Sequence, residues 1–187
     1  MSTTSVKKES TLMYVLRLTF TLLIITSLVA VALAGINMVT APIIADANEA
    51  KTQQAVNEVL PGGGNAIAFT DDTGLVANVY ASEKGYAVQV CPSGFNGQMD
   101  MMVGIDPEGN VTAISIISHT ETAGLGAVAA ADTAAGNAFR SQFAGLSGTL
   151  AVTKDGGEID ALTGATITSR AVTAGVNAAL ACVEKLG

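Results

Sequence analysis

Between Arg17 and Asp46 the chain carries no charged residue, and Leu18 to Ile36 is an almost continuous run of Leu, Ile, Val, Ala and Thr. As a helix, that run spans about 28 Å, close to the hydrocarbon thickness of a bilayer. Lys7, Lys8 and Arg17 precede it, which under the positive-inside rule places the N-terminus in the cytoplasm. Ala32-Leu33-Ala34 before Gly35 has the form of a signal-peptidase site, so a cleaved signal peptide is the competing reading. The apolar character continues past it through Ile36, Met38, Val39, Ile43 and Ile44, which favours an uncleaved anchor. The expected organisation is a cytoplasmic tail at 1–17, one transmembrane helix at 18–38, and one extracytoplasmic domain over 39–187. Pro42 ends the helix or marks a short connection beyond it.

With 187 residues, there is room for one domain with a sizeable core besides the anchor. Aromatic residues make up 4% of the chain and Trp is absent, so the core has to be built from small side chains. The chain carries a net charge of −7; setting aside Lys7, Lys8, Glu9 and Arg17 leaves 6 basic against 15 acidic residues, −9, for the remainder. Such a domain is repelled by nucleic acid phosphates, which excludes nucleic acid as a partner. Cys91 and Cys182 have no metal-ligand spacing; buried free thiols are the expected state, with a single disulfide the alternative.

Asp46 to Leu60 reads as a helix, with Ala47, Ala50, Ala55, Val56, Val59 and Leu60 as its apolar positions, stopped by Pro61-Gly62-Gly63-Gly64. No Lys-Ser/Thr follows the glycines, so they form a plain loop rather than a phosphate cradle. Tyr86 to Cys91 alternates, with Tyr86, Val88 and Val90 on one face. Met101–Ile105 and Val111–Ser118 are two further strands, and Asp106-Pro107-Glu108-Gly109-Asn110 between them is a hairpin signal with a type I turn and a bulge. Asp132 to Phe143 is expected to be a helix with Phe139 and Phe143 facing the core. From Ser169 to Leu186, Val172, Val176, Leu180 and Val183 form one apolar stripe of a last helix. The fold class is α+β: a membrane helix followed by a domain with an antiparallel sheet and flanking helices.

The chemistry concentrates at two places. Asp160-x-x-Thr163-Gly164-Ala165-Thr166-Ile167-Thr168-Ser169 sets two small residues and three hydroxyls at the start of the last helix, with Thr168 or Ser169 as its expected cap. The small residues allow close approach to the backbone, and the positive end of the helix dipole suits a phosphate. The second place is Ser118-His119-Thr120-Glu121-Thr122-Ala123-Gly124-Leu125-Gly126, a loop at a strand end closed by two glycines. His119 is expected to be a surface or hydrogen-bonded histidine, since no nucleophile with a partner acid accompanies it.

Asp160-x-x-Thr163-Gly164-Ala165-Thr166 resembles the sequence at which a flavin transferase joins FMN to threonine through a phosphoester. That pattern marks the FMN-binding domain shared by the G subunit of the Rnf ferredoxin–NAD oxidoreductase and the C subunit of the sodium-pumping NADH–quinone oxidoreductase. The Gly-Tyr-x-Val, Gly-Phe-x-Gly and Val-Gly-Ile-Asp stretches carry the same resemblance, and chain length favours the Rnf type. The resemblance implies covalent FMN on Thr166, with Asp160, Thr163, Gly164, Ala165, Thr168 and Ser169 around the attachment point. It places Thr120, Glu121, Thr122, Gly124, Leu125 and Gly126 against the flavin, with Ala123 where proline is usual. The implied function is electron transfer in a multisubunit, ion-translocating oxidoreductase of the inner membrane, with no catalytic activity of its own. Its implied partners are the membrane and iron–sulfur subunits of that complex, a flavin transferase and membrane lipid. A noncatalytic ligand-binding or scaffold module explains the anchor and the acidic domain equally well, but not the two motifs.

Overall fold

The computed structural model describes residues 11–186. Lys7 and Lys8, which set the expected orientation, lie outside them. The chain divides into two compact units, residues 1–48 and 49–187. The first helix, α1, spans Thr11–Val59 (49 residues) with Pro42 inside it. This corrects two expectations: residues 11–17 are helical rather than a loose tail, and no break occurs at Pro42. A proline removes one backbone donor, and its cost is tolerated where the helix on either side is strongly formed. The Met13–Val59 segment is long and apolar enough to cross a membrane, and from Met13 to Ile44 its large side chains are exposed.

The second unit is built on a five-stranded antiparallel sheet in the order β1 (Asn65–Ile67), β2 (Val76–Ser82), β3 (Gly85–Val90), β4 (Asp100–Ile105) and β5 (Val111–Ser118). The alternation of side chains across the pleat explains why both faces are buried. Val88, Val90, Met101 and Val103 face a core shared with α2 (Ala134–Ser141) and α3 (Thr166–Glu184). Ala87 and Met102, one residue out of phase, face Ala55, Val56, Val59 and Leu60 from the end of α1. Phe139 and Phe143 lie edge to face at 5.6 Å inside the first core, and the apolar stripe of α3 is buried with them. Cys182 is buried and Cys91 half-buried, both as free thiols. Burial pushes both thiols up, and the Asp100 carboxylate adds to the effect on Cys91.

Gly104 lets the end of α1 approach β4. A Cβ there would lie 2.4 Å from Thr112 Oγ1 and 2.5 Å from the Val59 carbonyl oxygen. Because one of those obstacles is backbone, Gly104→Ala is expected to destabilise the domain by about 3 kcal/mol, the upper part of the range for overpacking. Denaturant unfolding would read this as a lower midpoint at an unchanged slope.

The β4–β5 hairpin closes as its residues require. The Asn110 amide donates to the Asp106 carboxylate at 2.7 Å, Gly109 takes φ +85°, and the register slips between Gly104 and Ile105. That donation, with the nearby Glu108 and Gly109 amides, holds the Asp106 carboxyl below the ordinary carboxylate range. Asp71 is also lowered: burial pushes it up, but the Thr73 hydroxyl and the Val76, Thr73 and Leu75 amides outweigh that. A carboxyl lower in the folded than in the unfolded state binds fewer protons when folded, so its contribution is complete above about pH 4 and fades as acid protonates it. The unfolding temperature should therefore fall as the pH drops below about 4, and Asp106→Asn should flatten that dependence.

Candidate functional site

Helix α3 opens at Thr166, with Ala165 as its N-cap and no side-chain cap among the described residues. Thr168 and Ser169 are therefore not caps, which corrects the expectation. Their hydroxyls are buried and used in tertiary contacts instead. The Ser169 hydroxyl accepts from the Leu162 amide at 3.0 Å and donates to the Ala165 carbonyl at 3.0 Å, fastening the Leu162–Ala165 turn to the helix. The Thr168 hydroxyl donates to a Glu121 carboxylate oxygen at 2.5 Å. Thr166 alone of the three is not buried, and Lys154 Nζ donates to its hydroxyl at 2.9 Å. Gly164, at φ +74°, brings the chain so close to Leu125 that a Cβ would meet its Cδ2 at 3.0 Å.

The loop after β5 forms the facing wall. Glu121 is 8% exposed and accepts from the Asn96 amide at 3.1 Å as well as from Thr168. Asn96 and Thr120 also bind each other twice, Asn96 Nδ2 to the Thr120 carbonyl at 2.7 Å and the Thr120 hydroxyl to the Asn96 carbonyl at 2.8 Å. One carboxylate thus ties the β3–β4 loop, the loop after β5 and the first turn of α3 together. Gly94 and Gly126 leave room for it: a Cβ at either would lie 2.3 or 2.2 Å from a carboxylate oxygen.

Between these walls is a cavity of about 360 Å³ lined by Phe95, Glu121, Thr122, Leu125, Gly126, Lys154, Gly164, Ala165, Thr166, Ile167 and Thr168. Among the described residues outside α1, the large hydrophobic side chains left exposed are Phe95 (66%), Leu125 (45%) and Ile167 (49%), and all three stand on its rim. Exposed apolar side chains gathered around one concavity mark a binding site.

Beside it, a 3-10 turn (Thr153–Asp155) carries Lys154. Asp155 binds Arg170 bidentately, Nε at 2.7 Å and Nη2 at 2.6 Å. The Arg170 guanidinium lowers the Asp155 carboxyl and is itself raised by it.

The structure brings Glu121, Thr122, Leu125, Gly126, Gly164, Ala165, Thr166 and Thr168 to one cavity. Ser169 and Thr120 stand behind it, bracing α3 and the loop, and Gly124 supplies the loop's positive φ of +75°. Asp160 and Thr163 are exposed and do not line the cavity; Asp160 is engaged through its backbone, which exchanges two hydrogen bonds with the Gln142 side chain at 2.7 and 3.2 Å. His119 is half-buried, and its Nδ1 has no hydrogen-bond partner among the described residues. Lys154, Phe95, Asn96 and Ile167 are not legible as site residues in the sequence. Ile167 lies inside the threonine motif and Phe95 and Asn96 inside the Gly-Phe-x-Gly stretch, whereas Lys154 lies in no motif at all.

A cradle of two motif-bearing loops at the start of a buried helix defines an FMN-binding domain, and the FMN-binding domain family matches residues 94–181. The chain is 35% identical over 195 residues to the G subunit of the Na(+)-translocating ferredoxin:NAD(+) oxidoreductase complex of Acetobacterium woodii, covering 92% of this chain and 93% of that one. It is 36% identical over 159 residues to the proton-translocating counterpart of Clostridium ljungdahlii, covering 80% of this chain and 81% of that one. A third relative, the G subunit of the ion-translocating oxidoreductase complex of Methanosarcina acetivorans, is 30% identical over 141 residues, 68% of this chain and 72% of its own. The chain belongs to the family of G subunits of ion-translocating ferredoxin:NAD(+) oxidoreductase complexes.

Proposed function

We propose that this chain is a membrane-anchored electron-transfer subunit of an ion-translocating ferredoxin–NAD oxidoreductase, carrying FMN through a phosphoester to Thr166. The observation that carries this reading is the accessibility of the three hydroxyls at the start of α3: Thr168 and Ser169 are buried and bonded, whereas Thr166 lines the cavity without being buried. When bound, FMN exchanges one or two electrons, which suits a relay between iron–sulfur centres and two-electron carriers.

The chain's own residues do the rest. The uncapped first turn of α3 presents backbone N–H groups where a phosphate attaches. Phe95, Leu125 and Ile167 supply apolar surface for the ring system and keep water from it. Glu121 keeps the two loops in place. Electron partners are the membrane and iron–sulfur subunits of the complex, and a separate flavin transferase makes the ester. Relatives named for sodium and for protons are 35% and 36% identical to this chain, so overall similarity assigns it to neither ion.

Denatured protein from a host with a flavin transferase is expected to fluoresce yellow-green in a gel, and protein made without one is expected to be colourless. Colourless protein from both hosts would refute covalent attachment. The same reading places α1 in the inner membrane with its N-terminus cytoplasmic and the domain outside. Protease added to intact spheroplasts is expected to digest the domain; a protected domain would reverse the orientation.

A further inference from the structure

We propose that Lys154 is the counter-ion of the phosphate at Thr166, and that the Asp155–Arg170 pair holds it there. The proposal rests on the reading that Thr166 carries FMN. Lys154 Nζ already touches the Thr166 hydroxyl at 2.9 Å, and that hydroxyl is its one polar partner among the described residues. Three other cations of the domain are held by carboxylates: Arg170 by Asp155, Arg140 by Asp132, and Lys185 by Asp72. A phosphodiester at Thr166 turns the hydroxyl oxygen into an ester oxygen and sets a negative charge on the phosphate oxygens next to it. Lys154 then exchanges a neutral acceptor for an anionic one, turning a single hydrogen bond into an ion pair with little displacement.

The need for such a cation follows from the acidic balance of the domain, since backbone dipoles alone hold an anion weakly in a repulsive field. Arg170 lies four residues after Thr166, on the same face of α3, and would compete for the phosphate. Its two bonds to Asp155 hold it away. Those bonds also pin the turn that carries Lys154, whose base is fixed by Thr153 N–H to the Ile159 carbonyl at 2.8 Å and by the Val152–Ile159 bridge. The turn is therefore clamped to α3 at two points one helical turn apart, one of which becomes the phosphate contact.

The test uses the full chain in detergent, made with and without a flavin transferase, with amine acetylation followed residue by residue by mass spectrometry. A phosphate partner engages the Lys154 amine and keeps it from the acylating reagent, so its labelling is expected to slow about tenfold on flavinylation. Labelling of Lys51, Lys84 and Lys185 should not change. Raising the salt from ~0.05 M to ~1 M, where the Debye length is about 3 Å, should remove most of that protection. Protection that persists undiminished in high salt would mean shielding by the ring and would overturn the ion pair. Equal labelling of Lys154 in both forms, with FMN mapped to Thr166, would overturn it as well while leaving the attachment site intact. Absence of FMN from Thr166 would instead refute the reading on which the proposal rests. Arg170→Gln is expected to weaken the protection with FMN still attached; unchanged protection in that variant would remove the clamp from the proposal. In Lys154→Gln the phosphorus resonance of the flavinylated protein should shift and lose its salt dependence, and an unshifted resonance would overturn the contact directly.

Discussion

Thr166→Ala is expected to remove all covalently held flavin while leaving the fold intact. The side chain is partly exposed and its one side-chain hydrogen bond among the described residues comes from Lys154, so the stability cost should stay within about 0.5 kcal/mol. Mass spectrometry should show one FMN on the parent protein, mapped to the peptide containing Thr166, and none on the variant. Thr168→Ala should keep at least part of the flavin but lose stability, because one oxygen of the buried Glu121 carboxylate would lose its donor. The cost of an unsatisfied buried group is about 1–3 kcal/mol. The two variants therefore separate chemistry from folding. Label surviving in Thr166→Ala, or mapping to Thr168 or Ser169, would refute the assignment.

The second large effect is expected at Glu121. Its carboxylate is shared by two donors from different elements and lies against the cavity. Glu121→Leu would strand both donors and bring an apolar side chain against Gly94 and Gly126, which have no space to yield. A loss of roughly 2–5 kcal/mol is expected. Glu121→Gln keeps the size of the side chain, and the Thr168 hydroxyl can turn to accept from the new amide. That variant should stay flavinylated and folded. Removing a negative charge beside the ring favours the electron-rich form, so the flavin potential should rise by on the order of tens of millivolts. Redox titration checks this, and an unchanged potential and visible spectrum would mean that the ring does not face this loop.

The strands richest in alternating apolar residues, β3 to β5, are legible in the sequence because two buried faces and a Pro-Gly hairpin link leave little choice of structure. Strands β1 and β2 are not: Asn65–Ile67 is three residues long, and Val76–Ser82 carries Asn and Ser among its apolar positions. Their conformation comes from pairing with β3 rather than from local preference. Pro42 misleads for the opposite reason, since a single breaker is outweighed by the long helical run on either side. At the site, the Thr166 motif and the Glu121 loop are contiguous segments that composition makes visible. Lys154 and Phe95 reach the same cavity from 12 and 71 residues before Thr166; no pattern marks Lys154, and the Gly-Phe-x-Gly stretch does not say where Phe95 is placed. The hydroxyls of Thr168 and Ser169 read as caps in the sequence because a cap needs only the local chain, whereas their true partners, Glu121 and the Leu162 turn, are set by tertiary packing.

Thr166 is the first residue of a helix in which the side chains of Thr168 and Ser169 are locked into the protein interior. A group attached there is held on a short leash from a fixed post. For a short tether, the effective concentration of the ring around the cavity is on the order of millimolar or higher. The cavity then has no need of tight affinity: a few exposed apolar side chains suffice to keep the ring seated most of the time. Departure of the ring from its seat is not loss of the cofactor, and its return does not depend on the supply of free FMN. An acidic domain placed, as proposed, outside the cell membrane would hold a diffusible anionic flavin poorly. Tethering lets it keep a full complement of redox centres at any flavin concentration in its surroundings.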